Sequence, residues 1–280
     1  MSRLRVSILF VSGMVLSTLL PFTAGRADAA SAGSIPDHPA LNDNFTFVIG
    51  LYAPRSTVNA LVTPSGGGTG VGVDFENTLG LSERSYTPLT AFIWRVSDRW
   101  RLEAEYFRLN RNASRTLSED IEWNGVTYTA GTAVDSKFDF FDARVSGGYS
   151  FYKTQDKELG VGLGVHMTGL KAGITASGTT LSDDGDVLAP LPVLSLYGNF
   201  GLTNEWALRL RTDWFALSYG DYSGELVSAA LDVLYQPWRH VGFGFGMNSY
   251  MLDVEIKNTD WKGRARVAFN GPTVFVYGTF

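Results

Sequence analysis

At 280 residues the chain is long enough for one large β domain or two small ones. Charged residues make up only 18 % of it and aromatics 13 %, with 31 glycines, whereas a soluble domain carries about 25 % charge. The formal charge of −5 comes without any basic tract, which excludes a nucleic-acid partner. The absence of cysteine excludes disulfides, thiolate metal sites and a lipidated N-terminal Cys.

Residues 1–29 are expected to be a signal peptide. Arg3 and Arg5 form a positive start, Val6 to Leu20 is the apolar run closed by Pro21, and Ala27-Asp28-Ala29 is a cleavage site of the A-x-A type. No later window approaches the roughly 20 apolar residues of a spanning helix. Residues 30–43 read as a small-residue linker with Pro36 and Pro39, and residues 44–280 as one domain of alternating strands.

The alternation begins with Phe45, Phe47, Ile49 and Leu51 against Thr46, Val48 and Gly50. A bend is expected at Pro54, a flexible turn at Ser65 to Gly70, and a bulge or infolded piece of loop at Asn77 to Leu81. Phe92 and Trp94 then alternate with Ile93 and Arg95. Beyond the tight turn at Ser97-Asp98, Trp100, Leu102, Ala104 and Tyr106 alternate with Arg101, Glu103 and Glu105. The connection from Asn110 to Val134 contains its own hairpin signal at Asn124-Gly125. Further strands follow around Phe141–Phe151, Leu159–Met167, Leu194–Phe200, Trp206–Trp214, Val227–Tyr235, Val241–Met247 and Lys262–Phe280.

Short turns near 97–98, 153–157, 203–204 and 236–239 alternate with longer connections near 64–85, 110–134, 177–187, 218–223 and 257–261. Short turns on one side and long loops on the other are the pattern of outer-membrane barrels. The expected fold class is therefore all-β: an antiparallel up-and-down transmembrane barrel of ten strands, with twelve or eight as alternatives, and both termini in the periplasm.

The outward sets carry aromatics at their ends: Trp94, Trp100, Tyr149, Phe151, Trp206, Trp214, Tyr235 and Trp238. These read as interfacial girdles. The opposite faces carry Arg95, Arg101, Glu103, Glu105, Asp142, Arg144, His166, Arg209, Arg211, Asp213 and Asp232. Charges of both signs in a narrow lumen must pair, because a lone buried charge is costly. They form either a salt-bridged plug or the selectivity zone of a small pore. Glycines at 160, 162, 164, 242, 244 and 246 share that face and either make room for long side chains or leave a passage.

The alternating strands and the terminal Thr279-Phe280 resemble small Gram-negative outer-membrane β-barrel proteins of the broad OmpA/OmpW-like group. The phrases VDFENTLGL at 73–81, RWRLEAEYFRLNR at 99–111 and APLPVLSLYG at 189–198 are similar to an uncharacterised proteobacterial barrel family. The resemblance implies a cell outer-membrane location, lipid and lipopolysaccharide as surroundings, and Phe280 as the signal read by the barrel-assembly machinery. A monomer without cofactor is expected.

Of three histidines, His38 falls in the linker and His240 in a turn, both expected to be solvated, and His166 lies mid-strand with Gly164 and Thr168 as its same-face neighbours. A hydrolase would need a Ser and an acid beside that His, so any partner has to come across strands. Asp183-Asp184-Gly185-Asp186 reads as an acidic loop tip without the spacing of an EF-hand. The expected role is passive: envelope structure or a narrow porin-like passage for small solutes. A barrel enzyme acting on lipid or peptide and a binding or adhesion protein using its external loops are the alternatives.

Overall fold

The computed structural model describes residues 36–63, 71–123, 126–176, 182–219, 222–257 and 262–280. The expected signal peptide, the Ser65–Gly70 turn, the Asn124-Gly125 turn and the tips of the connections near 177–187, 218–223 and 257–261 lie outside them.

A short helix, α1 (Pro39–Asn42), precedes the strands β1 (Phe45–Tyr52), β2 (Arg55–Thr63), β3 (Val71–Asp74), β4 (Thr87–Arg95) and β5 (Trp100–Thr116). A small hairpin, β6 (Ile121–Trp123) and β7 (Val126–Tyr128), leads to β8 (Ala133–Lys153), β9 (Lys157–Ala176) and β10 (Ser182–Gly201). Then come β11 (Trp206–Tyr219), β12 (Tyr222–Tyr235), β13 (Val241–Lys257) and β14 (Lys262–Thr279).

All pairings are antiparallel, in the order β1-β4-β5-β8-β9-β10-β11-β12-β13-β14, and β14 returns to β1. The result is a closed ten-stranded barrel. Phe45 and Phe280 exchange backbone hydrogen bonds of 2.9 and 3.0 Å at the seam, so the last residue is part of the closure. The first barrel strand is broken at Ala53-Pro54, since Pro54 has no N–H to give to a ladder. β1 covers the lower half of β14, through Thr273, and β2 its upper half, from Asn270. Gly271 lies at the break. A Cβ there would meet the Ala53 carbonyl oxygen and come within 2.7 Å of Pro54 Cα.

Side chains alternate across the wall as period-2 geometry demands. Outward, Phe47, Ile49, Val145, Leu163, Leu196, Phe245 and Val274 are exposed and form an apolar belt. At the end with the short turns the belt closes in an aromatic girdle. Trp100 lies 5.0 Å from Tyr149, and Trp206 lies 4.5 Å from Tyr235. Trp214 marks the other edge.

The strands run well past the belt at the loop end. β8 has 21 residues, where about 9–11 suffice to cross a bilayer. The expected loops are therefore shorter than the sequence suggests. In particular, Asp183 to Asp186 is no loop tip: it is strand, paired with Ile174 through Lys171 of β9. Its acidic composition hid the register that β9 imposes.

The loop half of the barrel is filled by an apolar core. The segment after β3 folds inward, burying Phe75, Leu79 and Leu81 against Phe138, Phe140, Tyr250 and Phe269. The β6–β7 hairpin adds Ile121, Trp123 and Tyr128, and the Tyr128 hydroxyl donates to the Ile174 carbonyl at 3.1 Å.

Gly271→Ala should destabilise the barrel by about 1–3 kcal/mol through overpacking at the bend. Urea unfolding followed by Trp fluorescence measures this. An unchanged midpoint would contradict the close approach of Gly271 to Pro54.

Candidate functional site

The chemistry-bearing side chains gather inside the barrel, between the apolar loop half and the short-turn end. They lie on inward positions of β4, β5, β8, β9, β11 and β12, because residues two apart on a strand share a face. Arg95 and Arg101 are buried with Glu158, at 2.7 and 3.5 Å. Arg101 also pairs with Glu103 at 2.6 Å, and Glu103 with Arg144 at 2.8 Å. Arg144 then grips Asp213 with two nitrogens, at 2.8 and 3.0 Å. Asp213 accepts from the Ser195 hydroxyl and lies 3.5 Å from Arg211, which forks onto Glu105 at 3.0 Å.

His166 is 1 % exposed and sits between two carboxylates, 2.8 Å from Asp142 and 3.6 Å from Asp213. Asp142 in turn accepts from Thr168, which hydrogen-bonds the Tyr250 hydroxyl. Nine of the eleven residues singled out in the sequence thus form one connected network of ion pairs and hydrogen bonds, joined at its lower end through Glu158. Arg209 and Asp232 make a separate pair at 2.9 Å.

Several members were not singled out. Glu158 is the hub of the lower end, taking Arg95, Ser150 and Asn199. Its signal was present, since it shares parity with Gly160 and His166. Tyr197 lies under the Arg101 guanidinium, 3.2 Å from ring centroid to Cζ. This ring explains Gly148 and Gly160 beside it, where a Cβ would strike it. Gly242 and Gly244 likewise give way to Tyr277 and Phe275, and Gly246 to Asp232. These glycines make room rather than a passage. Among the described residues a cavity of about 40 Å³ lies beside the network, lined by Arg101, Glu103, Glu105, Arg144, Arg211, Asp232 and polar and apolar neighbours, space for a few waters.

The short-turn end is closed by the segment expected to be a linker. His38 is fully buried there, not solvated. It caps α1: its Nδ1 accepts from the Ala40 N–H at 3.2 Å while Nε2 faces the Glu205 carbonyl at 3.3 Å. Leu41 packs with Val48, Ala207, Leu234, Phe275 and Tyr277. Lys153 donates to the Leu41 carbonyl at 2.7 Å, Asn42 to that of Gln155 at 2.9 Å, and Arg239 holds Asp43. Four helical residues are too few to show a period, so the plug leaves no pattern in the sequence. His240 is exposed as expected and stacks on Phe280 at 5.2 Å.

No family model matches the chain, and no curated protein matches it. Among solved structures, the outer-membrane protease OmpT from Escherichia coli aligns with a TM-score of 0.55 at 11 % identity, over 89 % of this chain and 100 % of that one. The outer-membrane protein OprG from Pseudomonas aeruginosa aligns at 0.41 and 12 %, over 88 % of this chain and 99 % of that one. The fold is that of the Gram-negative outer-membrane β-barrels. Ten strands, an apolar outer belt and a girdle of aromatics agree with it.

Burial holds the His38 imidazole below its ordinary pKa, outweighing the Glu205 carbonyl and Asp43. The docked segment therefore binds fewer protons than the released one. Docking is complete above the free imidazole value of about 6.5 and weakens as pH falls through it, because a proton on Nδ1 removes the acceptor for Ala40. The protection of the Ala40 and Leu41 amides, as the ratio of intrinsic to observed exchange rate, should fall on acidification, and His38→Gln should flatten that dependence. Equal protection at both ends of the range would refute it.

Proposed function

We propose that this chain is a passive, sealed barrel of the outer membrane: a monomeric envelope-structure protein rather than an open pore or an enzyme. The observation that carries the reading is the filled lumen. From one end to the other it holds the α1 plug with Leu41, the ion-paired band from Glu158 to Glu105, and the apolar core around Phe140 and Phe269. A solute would have to break buried ion pairs, each costing about 3–5 kcal/mol when one partner is lost, and then displace close-packed aromatics.

The orientation follows from the short turns, which face the periplasm in such barrels. The α1 plug and the Phe45–Phe280 seam then lie on the periplasmic side, and the filled half with the β6–β7 hairpin faces outward. Phe280, at the closing seam, is the proposed signal for the barrel-assembly machinery, and lipid with lipopolysaccharide surrounds the belt.

Catalysis is disfavoured by access. A working His–Asp pair needs a substrate within hydrogen-bond reach, and His166 with Asp142 lies beneath the apolar core. A second reading, contact with an external partner, is favoured by the strands that project beyond the belt. There the outward faces carry Arg108 with Asp139, and Arg264 and Arg266 with Asp253.

In planar bilayers the protein should show no discrete openings, and a chain lacking residues 36–44 should stay silent, since the charged band and the apolar core remain. Stepwise ohmic conductance from the intact barrel would overturn the sealed reading.

A further inference from the structure

The barrel wall is not uniform. The β10–β11 ladder runs from Gly201↔Ala207 to Leu194↔Trp214 and ends there. β10 nevertheless stays paired with β9 as far as Ser182, and β11 with β12 as far as Tyr219. Among the described residues, the two strands therefore separate over their upper halves.

The sequence explains why. Gly201 N–H donates to the Asp156 carbonyl at 2.7 Å, on the β9 side, and Leu202 N–H to Trp206 at 2.8 Å, on the β11 side. Bonding direction alternates along a strand, and the β9–β10 register is continuous. Even-numbered residues of β10 therefore face β11. Pro190 and Pro192 are both even, so the two missing donors lie on that side, just above the last rung. Within a strand proline is tolerated on such an edge, and it also keeps the open edge from taking up a further strand.

The seam opens into apolar surroundings. Leu188 and Leu217 are exposed at its mouth, while Leu191 and Val193 are buried behind it with Leu226. Directly below, the outward face is hollow. Gly198, Thr212, Ala229 and Ser249 form a floor of small residues, rimmed by Leu196, Leu210, Leu231 and Met247, in a mostly apolar hollow of about 510 Å³ that Arg211, Asn248 and Asn270 also line. Leu196 and Thr212 are the next outward residues after Leu194 and Trp214, so hollow and seam are continuous with each other and with the lipid-facing belt.

We propose that this seam and hollow bind one acyl chain of a neighbouring membrane lipid. The lining suits a hydrocarbon chain and the prolines disfavour a strand. The hollow lies within the belt and the seam begins at its Trp214 edge, which makes a lipid tail the molecule at hand. The site goes beyond the sealed-barrel reading and needs only that the barrel sits in a membrane. The seam leads to the apolar core, not to the charged band, so a chain can lodge there without opening the lumen.

The test is native mass spectrometry of the full chain in mild detergent, titrated with dipalmitoyl phosphatidylcholine. One retained lipid per chain is expected. Ala229→Phe and, separately, Thr212→Leu fill the hollow and should lower retention about tenfold, the worth of roughly two buried methylenes. Ala143→Phe, outward on the distant β8 wall, should not. Heat-modifiable gel migration checks that each variant is folded, so loss of the barrel is read separately from loss of the site. Equal retention in all variants, no retention in the parent, or a two-chain particle abolished by Ala229→Phe would overturn the proposal.

Discussion

The constraint on which the rest of the structure depends is that ten strands enclose too little space to keep charged side chains hydrated. Each lumen charge therefore has to find a partner on another strand. Arg144 meets Asp213 across the lumen, from β8 to β11, and Glu105 meets Arg211 from β5 to β11. Such pairs tie distant parts of the wall together where hydrogen-bonded neighbours cannot. Whether a buried ion pair stabilises relative to an apolar pair is a separate matter. What the network does impose is register, because one residue of slip would turn all of these charges outward into the belt.

The three lumen levels then follow from composition along the strands. On β5 the inward face runs Arg101, Glu103, Glu105, Phe107, Leu109, and on β8 it runs Ser146, Arg144, Asp142, Phe140, Phe138. Polar gives way to apolar at the same height on both. The infolded segment at Phe75 to Leu81 can be stabilised inside the barrel only because the upper wall offers it an apolar face. The inward glycines of β9 and β13 are the counterpart, yielding space to Tyr197, Phe275 and Tyr277 from neighbouring strands.

Much of this was legible in the sequence because a strand's period of two is independent of its neighbours. Arg101, Glu103 and Glu105 could be put on one face without knowing what they touch, and the loop–turn alternation was enough to count ten strands. Partners across strands were not legible. His166 lies opposite Arg144 and reaches Asp142 diagonally, in a register that includes a bulge between Ser150 and Tyr152. That bulge shifts the pairing by one residue and has no clear mark in the sequence. The plug at His38 to Asn42 was missed because one helical turn carries no periodicity. Pro190 and Pro192 were visible throughout, but their meaning depends on which side their missing N–H groups face.

The account rests on the lumen charges acting as a paired lock, and a double-mutant cycle on Glu105 and Arg211 tests that most directly. Urea unfolding of Glu105→Leu, Arg211→Met and the double variant would be compared in one lipid. Each single change should cost about 3–5 kcal/mol by stranding a buried charge, and the double should cost at least about 2 kcal/mol less than the sum. Additive losses of less than about 1 kcal/mol each, the range of solvated surface pairs, would mean that the lumen is wet and the lock does not exist.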